Sequence, residues 1–123
     1  MDHLKALVVD DKKIIGDLFG YILGRGGHDI TVVQSGYDAL ERIKHENFDV
    51  AFLDIVMPKK DGIATLKELK NLRPEMPIVM MSGYSVEEKR QEVRALGAIT
   101  CLSKPVEMDE VRKIIKSAIG KEI

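Results

Sequence analysis

Ionisable side chains follow three hydrophobic runs of the sequence: Asp10 with Asp11, Asp54, and Lys104. A polar group just past an apolar strand lies where that strand leaves the core, so such groups from several parallel strands can meet at one edge of a sheet. Like charges about 4 Å apart repel by about 4 kcal/mol at an effective dielectric constant of roughly 20, so carboxylates gathered there need a hard cation among them. The sequence therefore predicts a metal ion held against Asp54.

The predicted ligands suit Mg²⁺, which takes oxygen ligands in an octahedron and usually keeps several waters beside one or two protein carboxylates. Asp11 and Asp54 are predicted to be direct ligands. Asp10 would act through a bound water, and the main-chain carbonyl of Val56 would complete the protein's share. The sequence has no cluster of Cys and His residues at metal-ligand spacing, which argues against zinc.

Asp54 is also placed to act as a nucleophile, because a carboxylate beside a metal ion can attack a phosphoryl group and form an acyl phosphate. Lys104 would neutralise one phosphoryl oxygen. Ser82, at the end of a further apolar run, would donate a hydroxyl hydrogen bond to another. Taken alone, Asp10 and Asp11 also have a simpler interpretation, since paired aspartates often cap a following helix.

The elements that must position these residues are five pairs of an apolar run and a segment with helical spacing of its apolar residues. The predicted strand and helix pairs are 4–9 with 12–24, 30–33 with 37–45, 50–53 with 63–72, 78–81 with 86–96, and 99–102 with 106–119. Ser85 and Glu88 have the spacing of a capping box, and Gly97 marks the end of the fourth helix. This alternation predicts an α/β fold with a doubly wound parallel sheet and right-handed crossovers.

The composition predicts one domain over residues 1–123. Hydrophobic residues make up 45% of the chain and charged residues 32%, and no tract is rich in Pro, Ser or Gln. The formal net charge of −1, with both signs interspersed, provides no basic surface for direct binding to nucleic acid or to an anionic membrane.

The single cysteine, Cys101, cannot form a disulfide within the chain, which fits a reducing cytoplasm. The sequence has no signal peptide and no apolar stretch of about 18 residues that could span a membrane. We therefore expect a cytoplasmic protein without membrane insertion. The end of the sequence lacks an obvious linker, which favours a stand-alone protein. We also expect a monomer.

Four segments resemble the motifs of one family, the receiver domains of two-component response regulators. They are Asp10-Asp11, Asp54-Ile55-Val56-Met57-Pro58-Lys59-Lys60-Asp61-Gly62, Met81-Ser82-Gly83 and Lys104-Pro105, in the family's order and spacing. The resemblance covers essentially the whole chain. It implies a flavodoxin-like sheet of five parallel strands in the order 2-1-3-4-5, flanked by five helices. It also implies Mg²⁺-dependent transfer of a phosphoryl group from the phosphohistidine of a sensor kinase to Asp54.

Residues 82–84 and 96–105 resemble a subfamily, the stand-alone phosphorelay intermediates of sporulation. This likeness implies that the phosphoryl group passes onward to a histidine phosphotransfer protein, as an alternative to changing the binding of a downstream effector. In either role the chain is a phosphoacceptor module that assists its own modification, and it is not an enzyme with a released product.

Two departures from the family pattern bear on the phosphoryl group. Cys101 stands three residues before the lysine, where many receivers carry Tyr or Phe, and we interpret it as a small core residue. Val56 and Tyr84, which flank the predicted site, are poor groups for positioning an attacking water. The sequence therefore predicts a long-lived phosphoryl group, with Tyr84 either shielding it or packing over the rim of the site.

The first predicted helix has an apolar stripe wider than one buried face needs. Ile14 or Ile15, beside Gly16, either forms part of a docking patch for a partner helix bundle or packs in the core. Lys59 and Lys60 are interpreted as a solvated loop, and the alternative is that they help to attract phosphate to the site.

Two other functions share parts of this pattern. A Mg²⁺-dependent hydrolase with an aspartyl nucleophile usually needs a second acid two residues later, and that position is Val56. A flavodoxin-like cofactor binder needs a first turn that cradles phosphate, whereas this turn begins with Asp10 and Asp11 and has no glycine. A phosphoacceptor signalling module agrees with more of the residues than either alternative.

Overall fold

Strands and helices alternate along the chain, and the structure, a computed structural model, describes residues 3–57, 60–83 and 86–120. Within these residues there are five strands, β1 (Lys5–Val9), β2 (Asp29–Val33), β3 (Val50–Asp54), β4 (Ile78–Ser82) and β5 (Thr100–Ser103). The same residues form five helices, α1 (Lys13–Arg25), α2 (Gly36–His45), α3 (Gly62–Leu72), α4 (Val86–Ala95) and α5 (Met108–Gly120). The predicted alternation of strands and helices is confirmed.

The strands form one parallel sheet in the order β2-β1-β3-β4-β5. β1 pairs with both β2 and β3, so that Val8 lies opposite Val32 on one side and Phe52 on the other. The strand order reverses between β1 and β3, and open α/β sheets bind ligands outside the carboxyl ends of strands at such a reversal. The predicted fold and strand order are confirmed, and the topology directs attention to the residues that end β1 and β3.

The sheet separates two hydrophobic clusters, because successive side chains of a strand point to opposite faces. Leu7 and Leu53 belong to one cluster, while Val8 and Phe52 belong to the other. β3 and β4 are buried along their whole length, as expected of central strands with helices on both sides. The core therefore fixes the two strands that carry Asp54 and Ser82.

Local signals explain several helix boundaries. The hydroxyl of Ser35 accepts a hydrogen bond from the N–H of Asp38 at the start of α2, at 3.2 Å. Gly97 follows α4 with a φ of 105°, a left-handed conformation that glycine adopts without strain, and this confirms the predicted stop. Ser85 of the predicted capping box lies outside the described residues. In the described part of the chain, no helix is both long and apolar enough to cross a membrane.

Candidate functional site

The polar residues predicted at four strand ends lie at one edge of the sheet. Asp54 and Ser82 are the last residues of β3 and β4, and Asp10 and Lys104 directly follow β1 and β5. The exposed fractions of Asp10, Asp54 and Ser82 are 0%, 2% and 1%. Hydrogen bonds and ion pairs are electrostatically stronger in such a buried setting than at the surface.

Lys104 joins two of the carboxylates. Its Nζ atom donates to Oδ2 of Asp10 at 2.8 Å and lies 3.1 Å from Oδ2 of Asp54. Its main-chain N–H donates to the carbonyl of Ser82 at 2.8 Å, which holds the base of the side chain against β4. Burial by itself would lower the pKa of Lys104, but the hydrogen bond to Asp10 and the charge of Asp54 raise it above its usual value. The ammonium therefore stays charged.

The pKa of Asp54 is also raised above its usual value. Burial is the largest cause and the charge of Asp10 the next, while Lys104 and the main-chain N–H of Val56 partly offset both by interacting with the carboxylate. The single positive charge of Lys104 therefore does not balance the negative charge of the carboxylates around it. Additional positive charge here would favour the ionised, nucleophilic form of Asp54.

The carboxylate oxygens around Asp11 are spaced closely enough to hold a cation. Carboxylate oxygens of Asp10, Asp11 and Asp54 lie within 4.8 Å of one another. Oδ1 of Asp11 is buried and has no hydrogen-bond partner among the described residues, and its nearest cation is the ammonium of Lys12 at 3.9 Å, beyond hydrogen-bond distance. Opposite ligands of Mg²⁺ are roughly 4.2 Å apart, twice the Mg–O distance of about 2.1 Å, so the cluster has a suitable size. A bound cation would also satisfy a buried oxygen whose desolvation is otherwise unfavourable.

Both carboxylate oxygens of Asp10 already have protein partners. Oδ2 accepts from Lys104, and Oδ1 accepts from the main-chain N–H of Lys12 at 2.9 Å, directly before α1. Asp10 therefore lines the acidic site and holds the turn before α1, but it does not cap this helix, because the N-cap is Lys12, whose side chain makes no capping hydrogen bond. The capping interpretation of Asp10 is wrong. With both oxygens engaged, Asp10 suits contact with a cation through water better than direct contact.

The turn after β3 is closed by a tight main-chain contact that the sequence motif did not explain. Gly62 donates its N–H to the carbonyl of Ile55 at 2.7 Å. A Cβ atom on Gly62 would lie 2.1 Å from the main-chain oxygen of Asp54. Glycine is required here for its small size, and it fixes the first residue of α3 against the strand that carries Asp54. Val56, whose side chain is exposed, lies within this turn.

Lys60 does not lie in a solvated loop, which corrects the sequence interpretation. Its ammonium pairs with Glu68 of α3 and lies 5.3 Å from the ring centroid of Tyr37 in α2, and only 17% of the side chain is exposed. The sequence could not reveal these contacts because both partners come from helices that meet only in the folded chain. Lys59 lies outside the described residues.

Cys101 is buried, which confirms its prediction as a core residue. Two arginines contact the chain at and beside this residue, and the sequence did not predict them. The carbonyl of Cys101 accepts from Nη2 of Arg90 at 3.3 Å, and the carbonyl of Ile99 accepts from Nε of Arg94 at 3.1 Å. The two arginines are one helical turn apart on α4 and satisfy carbonyls at and just before β5, the strand at the sheet edge. Their spacing of four residues was the available signal.

The structure distinguishes the two isoleucines of the possible docking patch. Ile14 is 73% exposed, whereas Ile15 is partly buried and packs against the core. Leu18 and Tyr21 are also exposed and follow Ile14 at helical spacing, so an apolar stripe runs along the outside of α1. Tyr84, which was predicted to shield the phosphoryl group, lies outside the described residues.

Comparison with known proteins agrees with this geometry. The family model of the response regulator receiver domain matches residues 6–116. The chain belongs to this family. The receiver is therefore a phosphoacceptor signalling domain of the two-component type, as the resemblance of its motifs implied.

Two curated relatives differ in how much of their length the receiver covers. It is 32% identical over 116 residues to sporulation initiation phosphotransferase F of Bacillus subtilis, and the match covers 94% of each chain. It is 35% identical over 119 residues to the transcriptional regulatory protein ZraR of Escherichia coli, where the match covers 97% of the receiver and 27% of ZraR. The receiver thus spans about a quarter of the ZraR chain.

Solved structures show the same fold. The receiver domain of the Francisella response regulator 1452 superposes with a TM-score of 0.89 at 31% identity, covering 98% of this chain and 99% of that one. A CheY-like receiver domain protein from Methanospirillum hungatei has a TM-score of 0.88 at 30% identity, covering 97% and 96% of the two chains.

Proposed function

We propose that the receiver accepts a phosphoryl group on Asp54 with the help of Mg²⁺ and passes it to a histidine on a partner protein. One observation carries the proposal: Lys104 bridges Asp10 and Asp54 beside Oδ1 of Asp11, a buried oxygen that accepts no hydrogen bond among the described residues. This arrangement combines a carboxylate nucleophile, a fixed positive charge and an oxygen cluster of a size that suits a cation.

Asp10, Asp11 and Asp54, with the carbonyl of Val56, would hold Mg²⁺, which supplies positive charge against the oxygens of the incoming phosphoryl group. A carboxylate oxygen of Asp54 attacks phosphorus while the bond to the donor's imidazole nitrogen breaks, and that nitrogen keeps the bonding electron pair. The product is an acyl phosphate on Asp54. Onward transfer is the same exchange in reverse, with a second imidazole as the acceptor.

Lys104 and Ser82 act on the transferred group. The ammonium of Lys104 exchanges its contact with Asp54 for a phosphoryl oxygen and keeps its hydrogen bond to Asp10. Because the pKa of Lys104 is raised, the ammonium serves as a point charge and does not release a proton. The hydroxyl of Ser82, at the end of the neighbouring strand, donates to a second phosphoryl oxygen.

A signalling module fits these residues better than a hydrolase. A hydrolase of this kind needs an acid two residues after the nucleophile, and Val56 offers only a main-chain N–H and C=O there. Because the side chain of Val56 cannot activate water, we expect the acyl phosphate to persist long enough for transfer to a partner.

Receiver domains exchange phosphate with histidine kinases or histidine phosphotransfer proteins. For this receiver we propose docking on the exposed apolar stripe of Ile14, Leu18 and Tyr21 on α1, which begins next to the acidic site in the sequence. The similarity to sporulation initiation phosphotransferase F over nearly the whole of both chains supports onward transfer.

The phosphoacceptor is tested by treating the purified chain with acetyl phosphate and measuring its intact mass. We expect the mass of one phosphoryl group to be added when Mg²⁺ is present, and none to be added after chelation or in Asp54→Asn. Equal labelling of Asp54→Asn and the wild type would disprove the assignment. Release of many phosphate molecules per chain would favour a hydrolase instead.

The docking stripe is tested by phosphate exchange with a purified histidine phosphotransfer protein. Ile14→Ala is expected to slow exchange by about tenfold, because exposed apolar anchors contribute about 1–2 kcal/mol each to an interface. Ile99→Ala is the matched control, since Ile99 is also exposed but precedes β5 on another part of the sheet. Equal rates for both variants would exclude the stripe.

A further inference from the structure

Lys60 belongs to a network outside the phosphoacceptor cluster. Its ammonium contacts Glu68 and the ring of Tyr37, so the side chain reaches both α3 and α2. A Cβ atom on Gly36, the first residue of α2, would lie 3.1 Å from Cδ of Lys60 and 2.1 Å from Oγ1 of Thr65. The aliphatic stem of Lys60 and the side chain of Thr65 therefore both approach the backbone of Gly36 where only a hydrogen fits.

Lys60 has a defined position relative to α3. Asp61 is the N-cap of this helix, and its carboxylate accepts from the N–H of Ala64 at 2.8 Å. Lys60 immediately precedes the N-cap, and Thr65 is the fourth residue of the helix. An apolar residue directly before an N-cap often packs against the fourth residue of the helix, and this contact fixes the angle at which the chain enters the helix. The methylene stem of Lys60 can supply this packing while its ammonium stays with Glu68.

The angle at which the chain enters α3 affects Asp54, because the first residue of α3 contacts the end of β3. Gly62 donates to the carbonyl of Ile55, and its Cα has no room for a side chain beside the carbonyl of Asp54. A shift of the chain at Lys60 would therefore move the main chain of Asp54 and Ile55. It would also move Val56, whose N–H donates to the carboxylate of Asp54.

We propose that Lys60 is a positioning residue: the packing of its stem at the start of α3 holds Asp54 in the arrangement that binds Mg²⁺. The inference rests on the proposed function of the acidic site. The stem carries the effect and the charge does not, because the side chain of Glu68 is 49% exposed and an ion pair with one partner open to water contributes little.

The positioning role of the Lys60 stem is tested by calorimetric titration of Mg²⁺ into the full chain and into three variants. Lys60→Ala is expected to raise the Kd for Mg²⁺ about tenfold, the lower end of the effect of residues that support metal ligands from outside. Lys60→Met retains an unbranched stem without the charge, and Glu68→Gln removes the ion pair, so both are expected to stay within about twofold of the wild type. Amide hydrogen exchange supplies a second measurement, with faster exchange at residues 55–57 expected in Lys60→Ala alone.

An unchanged Kd in Lys60→Ala, with clear Mg²⁺ binding by the wild type, would overturn the positioning role and leave the proposed function intact. An equal loss in Lys60→Met would overturn the assignment to the stem. If Lys60→Ala does not fold, Lys60→Gln takes its place, because its stem is shorter than that of lysine but longer than that of alanine. We expect Lys60→Gln to weaken Mg²⁺ binding less than Lys60→Ala would. An unchanged Kd in Lys60→Gln would also overturn the inference. Absence of Mg²⁺ binding by the wild-type chain would overturn both proposals.

Discussion

Nζ of Lys104 lies 2.8 Å from Oδ2 of Asp10, although the two residues are 94 positions apart in the sequence. The same ammonium lies 3.1 Å from Asp54, and both carboxylates are almost completely buried. Removing one member of a buried ion pair leaves the other charge uncompensated, so the stability and the chemistry of this site depend on the same groups.

The substitution Lys104→Met removes the ammonium and keeps the unbranched stem. Without Mg²⁺ it should lower the free energy of unfolding by about 3 kcal/mol, because Asp10 and Asp54 remain buried without their cation. Mg²⁺ should restore most of this loss by replacing the positive charge. Denaturant titrations in chelator and in Mg²⁺ measure both values, with Lys113→Met on the exposed part of α5 as a control that should change neither. Equal losses in both buffers would contradict the prediction.

Asp54→Asn should stabilise the chain in Mg²⁺-free buffer near neutral pH. The pKa of Asp54 is raised in the fold, so ionising it disfavours the folded state. We expect the midpoint of thermal unfolding to rise by about 3–6 °C, equivalent to about 1 kcal/mol for a chain of this size. Mg²⁺ should stabilise the wild type and have little effect on the variant.

The extra stability of Asp54→Asn relative to the wild type should decrease as the pH falls. As the pH falls through the raised pKa towards 3.8, the usual value for an aspartate, the folded wild type takes up the proton before the unfolded chain does. The unfavourable contribution of Asp54 then disappears, and the difference between the two proteins shrinks. Calorimetric scans at several pH values measure it, and a constant difference would refute the role assigned to burial.

Gly62→Ala should destabilise the chain by about 2 kcal/mol or more, because the new Cβ would meet backbone atoms that have no freedom to move aside. The nearest are the main-chain oxygen of Asp54 at 2.1 Å and Cα of Ile55 at 2.6 Å. Gly20 in α1 is the matched control, because a Cβ there meets nothing within 4 Å. Gly20→Ala should stabilise the chain by about 0.5–1 kcal/mol through helix propensity. Chemical denaturation of both variants tests the contrast, and similar effects of the two substitutions would be inconsistent with it.

Cys101 should resist alkylation in the folded chain. Burial raises the pKa of its thiol, so less thiolate forms at a given pH, and the side chain is closed to reagents. Because it is the only cysteine, intact mass after iodoacetamide treatment reports this residue alone. We expect slow labelling in native buffer and complete labelling in denaturant. Rapid labelling of the native chain at neutral pH would show that β5 opens readily.

The sequence by itself determined the elements and which polar residues stand at the ends of the strands. Apolar periodicity and strand length are local properties, and they located the five strands and the end of β3, where Asp54 stands. Parallel strands place their carboxyl ends at one edge, so the meeting of Asp10, Asp54 and Lys104 followed without coordinates.

Tertiary structure alone decided which atoms meet. Lys104 contacts Asp10 and Asp54, and among the described residues Oδ1 of Asp11 is a buried oxygen that accepts no hydrogen bond. Ile14 is exposed and its neighbour Ile15 is partly buried, a distinction that depends on how α1 is rotated against the sheet. The prediction of a solvated Lys60 is wrong because Tyr37 of α2 and Glu68 of α3 contact its ammonium, and the sequence does not show that these helices meet there. Sequence periodicity reports short-range preferences along the chain, whereas these contacts depend on sheet twist, helix rotation and side-chain rotamers, which only packing of the whole chain fixes.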